Sequence, residues 1–197
     1  MFSKIIEERV IVSSEDKNYL AKIKGVDANF KSVVAIDSVI SQGSWLSQKT
    51  NQIVVGQGIS NNLSFGVLDY AKAINLYVPK PGKGQITSVK NAFSAVNTIN
   101  VGVFDINENL NDTYIFSSID LAQNLLNYKS NQVSSIEFKL KSYTDELQAK
   151  ENIQAIFAKV AIYRLQDNNE AAKAEYSKVL DADPDNTNLR IGYIDFL

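Results

Sequence analysis

Cysteine and histidine are both missing from the 197 residues. Without cysteine there are no disulfides, no thiolate zinc sites and no cysteine nucleophile. Without histidine, the Ser-His-Asp route to acyl transfer and imidazole metal sites are excluded as well. A cysteine-free chain is compatible with an oxidising compartment. No apolar run approaches the roughly 20 residues that span a bilayer. The first residues, Met1-Phe2-Ser3-Lys4-Ile5-Ile6-Glu7-Glu8, lack an apolar signal core and carry acids, so they do not read as a signal peptide. An excess of either charge is also lacking. Twenty basic against 22 acidic residues leave a net charge of -2, which argues against nucleic acid as the main partner.

What is present is ordinary for a globular protein: 45% hydrophobic and 21% charged residues, in a chain long enough to bury a core unaided. Short strands are expected at Arg9–Val12, Ala21–Val26, Val33–Ile36 and Gln52–Val55. Gly56-Gln57-Gly58 ends the last of these, and Ile59–Leu63 has room for one or two helical turns. A strand over residues 73–78 runs into Pro79-Lys80-Pro81-Gly82-Lys83-Gly84, the strongest turn signal in the chain. The strand over residues 98–104 is expected to place Ile99, Val101 and Val103 on one face. Ser117-Ser118-Ile119-Asp120 reads as a helix start, with Leu121, Ala122, Leu125 and Leu126 as its buried stripe. Ile136, Phe138 and Leu140 alternate with charged residues, as in a half-buried strand. Near residue 145 the texture turns all-helical, which suggests two parts, 1–150 and 151–197.

Seven landmarks in series carry a resemblance. They are Ile23-Lys24-Gly25-Val26-Asp27, the Ile40–Gly43 step, Val54-Val55-Gly56-x-Gly58-Ile59 through Leu63, Leu76-Tyr77-Val78-Pro79, Val101-Gly102-Val103-Phe104, Tyr114 to Leu126, and Ser135-Ile136-Glu137 with Lys139. In order and spacing they resemble the periplasmic domain of MacB/FtsX-type ABC transporter permeases, which include the lipoprotein-releasing ones. The resemblance implies an α+β, β-rich fold with no catalytic group, no cofactor and no metal. It implies a bacterial inner-membrane protein, of which this chain is an excised soluble domain on the periplasmic side, tied to the membrane only through flanking helices. The implied partners are a second permease subunit, an ABC ATPase acting through the membrane part, and a periplasmic carrier or lipoprotein. The excursion after Pro79 is the expected contact, through Pro79, Lys80, Lys83, Lys90 and Phe93; an exposed loop kept soluble by lysines is the plainer reading.

Residues 153–186 resemble one tetratricopeptide repeat, on Ile156, Lys159, Val160, Tyr163, Ala172, Tyr176 and Pro184. A single repeat cannot bury its own face, so an α-helical hairpin packed on a neighbour is expected, with a peptide-binding adaptor as the alternative function. Three weaker signals remain. Gly56-x-Gly58 reads as a tight strand-to-helix turn rather than a dinucleotide site. Asp105, Glu108, Asp112 and Asp120 are an acidic group that an enzyme would need to converge in a cleft. Trp45, the sole tryptophan, reads as a contact anchor or a core-edge aromatic.

Overall fold

The computed structural model describes residues 1–80 and 92–140, together with residues 155, 166, 168, 170, 171, 174, 175 and 177. The chain divides into two compact units, Phe2–Lys139 and a second made of Met1 with Leu140–Leu197. In the second unit Ala155, Glu170, Ala171, Ala174, Glu175 and Ser177 are helical, and the Asn168 side chain accepts from the Ala171 amide at 3.1 Å. That bond caps a helix near the expected start. The tetratricopeptide-like positions lie outside the described residues.

The first unit is built on strands β1 (Phe2–Ser14), β2 (Lys17–Val26), β3 (Ile40–Gly43), β4 (Gln52–Gly56), β5 (Ile74–Pro79), β6 (Phe93–Phe104), β7 (Tyr114–Ser118) and β8 (Ser135–Phe138). Its helices are α1 (Phe30–Val33), a 3₁₀ turn at Ile36–Val39, α2 (Gln57–Leu63), α3 (Glu108–Thr113) and α4 (Ile119–Leu126). Pairing runs β2-β7-β4-β6-β5-β1, and β1 pairs back to β2, so six strands close into a barrel-like ring. Strands β3 and β8 lie outside the ring, on β6 and β1.

Closure sorts alternate side chains into two cores. Ile6, Val10 and Val12 of β1 meet Ile23, Ile53, Val55, Leu76, Val103 and Ile115 inside the ring. Leu63 of α2 and the Leu121–Leu126 stripe of α4 complete this inner core. Ile5, Val26, Val54, Phe104 and Phe116 project the other way and meet Phe30, Ile36 and Leu46 in an outer core. Trp45 packs here, 6.0 Å from Phe30 and 5.2 Å from Phe116, as a core-edge aromatic.

Three sequence expectations are corrected. Val33–Ile36 is not a strand: α1 ends at Val33 and a 3₁₀ turn starts at Ile36. Both Phe30 and Ile36 are buried in the outer core, and that packing overrides the β preference of the valines. Val103 does not share a face with Ile99 and Val101. Ile53 pairs with Asn100 but Val54 pairs with Gly102, leaving Val101 as a bulge that reverses the alternation. Val103 therefore points into the inner core, while Ile99 and Val101 lie in the outer one. In β8 the alternation is inverted: Ile136 and Phe138, like Leu140 after it, are exposed, while Glu137 is the half-buried residue, paired with Lys24. The β1–β8 ladder puts that carboxylate inward, where an ammonium meets it.

The helices sit close on the strands because key positions lack a side chain. A Cβ on Gly56 would collide with the Asn111 backbone of α3, and one on Gly58 with the Asp112 side chain. The Gly56-x-Gly58 pair is thus a strand-to-helix turn over which α3 passes. Replacing Gly56 by Ala is expected to lower stability by about 1–3 kcal/mol through overpacking. Gly66→Ala, where nothing lies within 4 Å, is expected to change it far less. Urea denaturation of the two variants checks this, and equal midpoints would contradict it.

Candidate functional site

The excursion after Pro79 is carried on a stem of paired strand ends. Pro79 is opposite Phe93, and the Lys80 amide donates to the Ala92 carbonyl at 2.8 Å. The stem therefore brings together three of the five expected contact residues: Pro79 and Lys80, both exposed, and Phe93, half-buried. Lys83 and Lys90 lie outside the described residues.

Beside the stem is a groove of about 680 Å³. Its walls are Glu8 and Arg9 of β1, Val78 and Lys80 of the stem, Ser94 of β6, and Asn127-Tyr128 after α4. The groove opens where β1 changes partners. On the edge away from β2, residues Phe2–Ile5 pair with β8 and Ile11–Ser14 with β5, and no described strand lies opposite the residues between. Ser134 fills part of that gap by bonding Glu7. The Glu8 carboxylate accepts from the Arg9 amide at 2.9 Å, and the Arg9 residue itself is exposed. Among the described residues neither Arg9 nor Lys80 makes an ion pair. Two exposed cations beside apolar stem residues suit a protein surface carrying acids.

Arg9 and Tyr128 were not among the expected contacts. They reach the stem only because the ring closes β1 onto β5, a pairing between residues far apart in sequence, from Ser14 with Ile74 to Ile11 with Tyr77. The one local signal is that Arg9 stands between the inward-facing Ile6, Val10 and Val12 without sharing their phase.

The acidic group does not converge. Asp105 and Glu108 are exposed, and Asp105 accepts from the Asn111 amide group within its own turn. No group of three acids, histidines or cysteines able to hold a metal occurs among the described residues.

No protein-family model matches the sequence, and no curated protein matches it. Solved structures do resemble it, among them two transporter domains. One is the extracellular domain of a noncanonical ABC-type transporter, YknZ, from Gram-positive bacteria: TM-score 0.53 at 8% identity, over 76% of this chain and 68% of that one. The other is the periplasmic region of MacB from Actinobacillus actinomycetemcomitans: TM-score 0.52 at 13% identity, over 79% of this chain and 64% of that one. The chain shares its fold with these transporter domains. It spans less than two thirds of the MacB region. No helix among the described residues is long and apolar enough to cross a membrane.

The ring's side-chain electrostatics concentrate on two tyrosines. Tyr114 donates to Glu7 at 3.0 Å, with Lys22 paired to the same carboxylate at 3.2 Å. Tyr19 donates to the Asp112 carbonyl at 2.9 Å. Burial, then the bond to Glu7, pushes the Tyr114 hydroxyl up; burial, then the Asp112 charge, does the same to Tyr19. Both keep their protons above the ordinary tyrosine value of about 10. Their stabilisation is thus complete below that pH and is lost as pH rises through the higher folded-state values. Folding stability measured by urea titration is expected to fall above about pH 10. The double variant Tyr19→Phe/Tyr114→Phe should show a shallower fall, and an unchanged slope would contradict the assignment.

Proposed function

We propose that the chain is an extracytoplasmic, non-catalytic domain of an ABC transporter permease. It transmits ATP-driven motion, generated on a cytoplasmic ATPase, to a periplasmic substrate or partner, in lipoprotein release or an efflux-type process. The observation that carries the reading is the fold shared with the YknZ and MacB domains, alongside the seven landmarks in serial order. Those landmarks have physical roles in the ring. Gly25 lies on β2 where a Cβ would run into Ala122 of α4. Asp27 holds the start of β1, accepting from Ser3 Oγ at 2.7 Å and the Lys4 amide at 3.0 Å. Val54-Val55-Gly56 supplies both cores and the turn into α2.

The contact surface is the stem and groove, Pro79, Lys80 and Phe93 with Arg9, joined by Lys83 and Lys90 of the excursion, which lie outside the described residues. The partner offers acids and apolar side chains, a periplasmic carrier or lipoprotein in this reading.

Expressed from its full gene, the protein is expected to fractionate with the inner membrane and co-purify with an ATP-binding subunit. Recovery as a wholly soluble protein without such a subunit would contradict the function. The surface is checked separately by placing a photo-crosslinking residue at Lys80 or Phe93 in cells. Adducts with a periplasmic protein are expected from both and not from Tyr70, which is 79% exposed but lies at the far end of β5. Arg9→Glu with Lys80→Glu should cut the yield from the Phe93 site several-fold; equal adducts from Lys80, Phe93 and Tyr70 would show the surface to be nonspecific.

A further inference from the structure

A second cavity lies away from the stem. It measures about 250 Å³ and is walled by Phe30, Phe104, Leu110, Tyr114 and Phe116. Two charged side chains line it, Lys24 of β2 and Glu137 of β8. They form an ion pair with each other, and the Lys24 ammonium stands 5.5 Å from the centre of the Phe30 ring.

Strand β8 is dispensable to the ring. It pairs only with β1, at four positions, and the closure β2-β7-β4-β6-β5-β1 omits it. None of its residues belongs to either core. Beyond that ladder its ties are peripheral: the Ser134 amide on the Ile5 carbonyl, the Ser134 hydroxyl on the Glu7 backbone, the Phe2–Phe138 ring contact at 5.8 Å, the Lys24–Glu137 pair and, just past its end, Lys139 on the Ser32 carbonyl. Its loss need not free the start of β1, because Asp27 still holds Ser3 and Lys4.

We propose that β8 is a strap over a binding site for a small amphipathic anion, an apolar or aromatic body bearing one negative charge. When the strap lifts, Glu137 leaves and Lys24 is left as the charge at the mouth of an aromatic pocket. The neighbouring Lys22 stays neutralised by Glu7, so the vacancy created is for one anion. The ligand's charge replaces Glu137 on Lys24, and its body takes the aromatic walls. Such a ligand selects the open strap from a pre-existing equilibrium. The site is separate from the stem, and the inference holds whether or not the domain serves a permease.

Trp45 reports on this pocket, since it is the sole tryptophan and packs on Phe30 and Phe116. The probe is 8-anilinonaphthalene-1-sulfonate, an aromatic anion, titrated into the full chain while energy transfer from Trp45 is followed. Glu137→Gln weakens the catch and should tighten the Trp45-reported affinity about fivefold to tenfold, the net scale of one ordinary hydrogen bond. Adding Lys24→Met should remove that gain. Phe138→Ala, which loosens the strap without touching the pair, should move the affinity the same way and serves if Glu137→Gln fails to fold. The proposal is overturned if the loosened variants bind no tighter than the parent, or if the gain survives Lys24→Met.

Discussion

Closure of the ring through β1 is the constraint on which the rest depends. β1 pairs with β2 along one edge and divides the other between β5 and β8; β6 likewise serves β4 on one edge and β5 and β3 on the other. Two long strands therefore do the work of four short ones. The alternation of side chains then has two buried destinations rather than one buried and one wet face, as in an open antiparallel sheet. Adjacent residues such as Ile5 and Ile6, or Val54 and Val55, enter different cores. The groove follows from the same division, because it opens where β1 passes from one partner to the other.

The helices hold the ends of this arrangement. α4 begins where the Ser118 hydroxyl accepts from the Leu121 amide and lays its apolar stripe on the inner core. α3 crosses the β4–α2 turn, which bare glycines allow. Close approach without a side chain in the way trades the flexibility of glycine for backbone-level packing. The β1–β5 ladder in turn fixes the stem of the excursion relative to β1, and so sets the spacing of Arg9 and Lys80.

Much of this was legible locally. β4, the strand-to-helix turn at Gly56, the Ser118-capped helix and the Pro79 break all have signals within a few residues. What was hidden depends on pairing across the chain. β1 runs from Phe2, yet Glu7-Glu8-Arg9 interrupts its apolar pattern, so only Arg9–Val12 stood out. The Val101 bulge is invisible in a sequence that alternates through it. Glu137 turns inward because Lys24 waits across β1, and Arg9 joins the stem because β5 returns beside it. Each is a tertiary partner overriding a local pattern. The β-rich fold expected from the landmarks is the one shared with the two transporter domains, while family, cargo and partner rest on the proposal.

Under the proposed function the domain passes motion from a membrane to a partner and must move as one body, and closure is what makes the ring cooperative. Native-state amide hydrogen exchange tests this most directly. If the ring is closed, the paired amides joining β1 to β5, around Val12 and Leu76, exchange only with global unfolding, at the same free energy as those of Val55 and Ile115 in β4 and β7. If the β1–β5 amides instead exchange early through a separate opening while β4 and β7 remain protected, the sheet is an open one and the account fails.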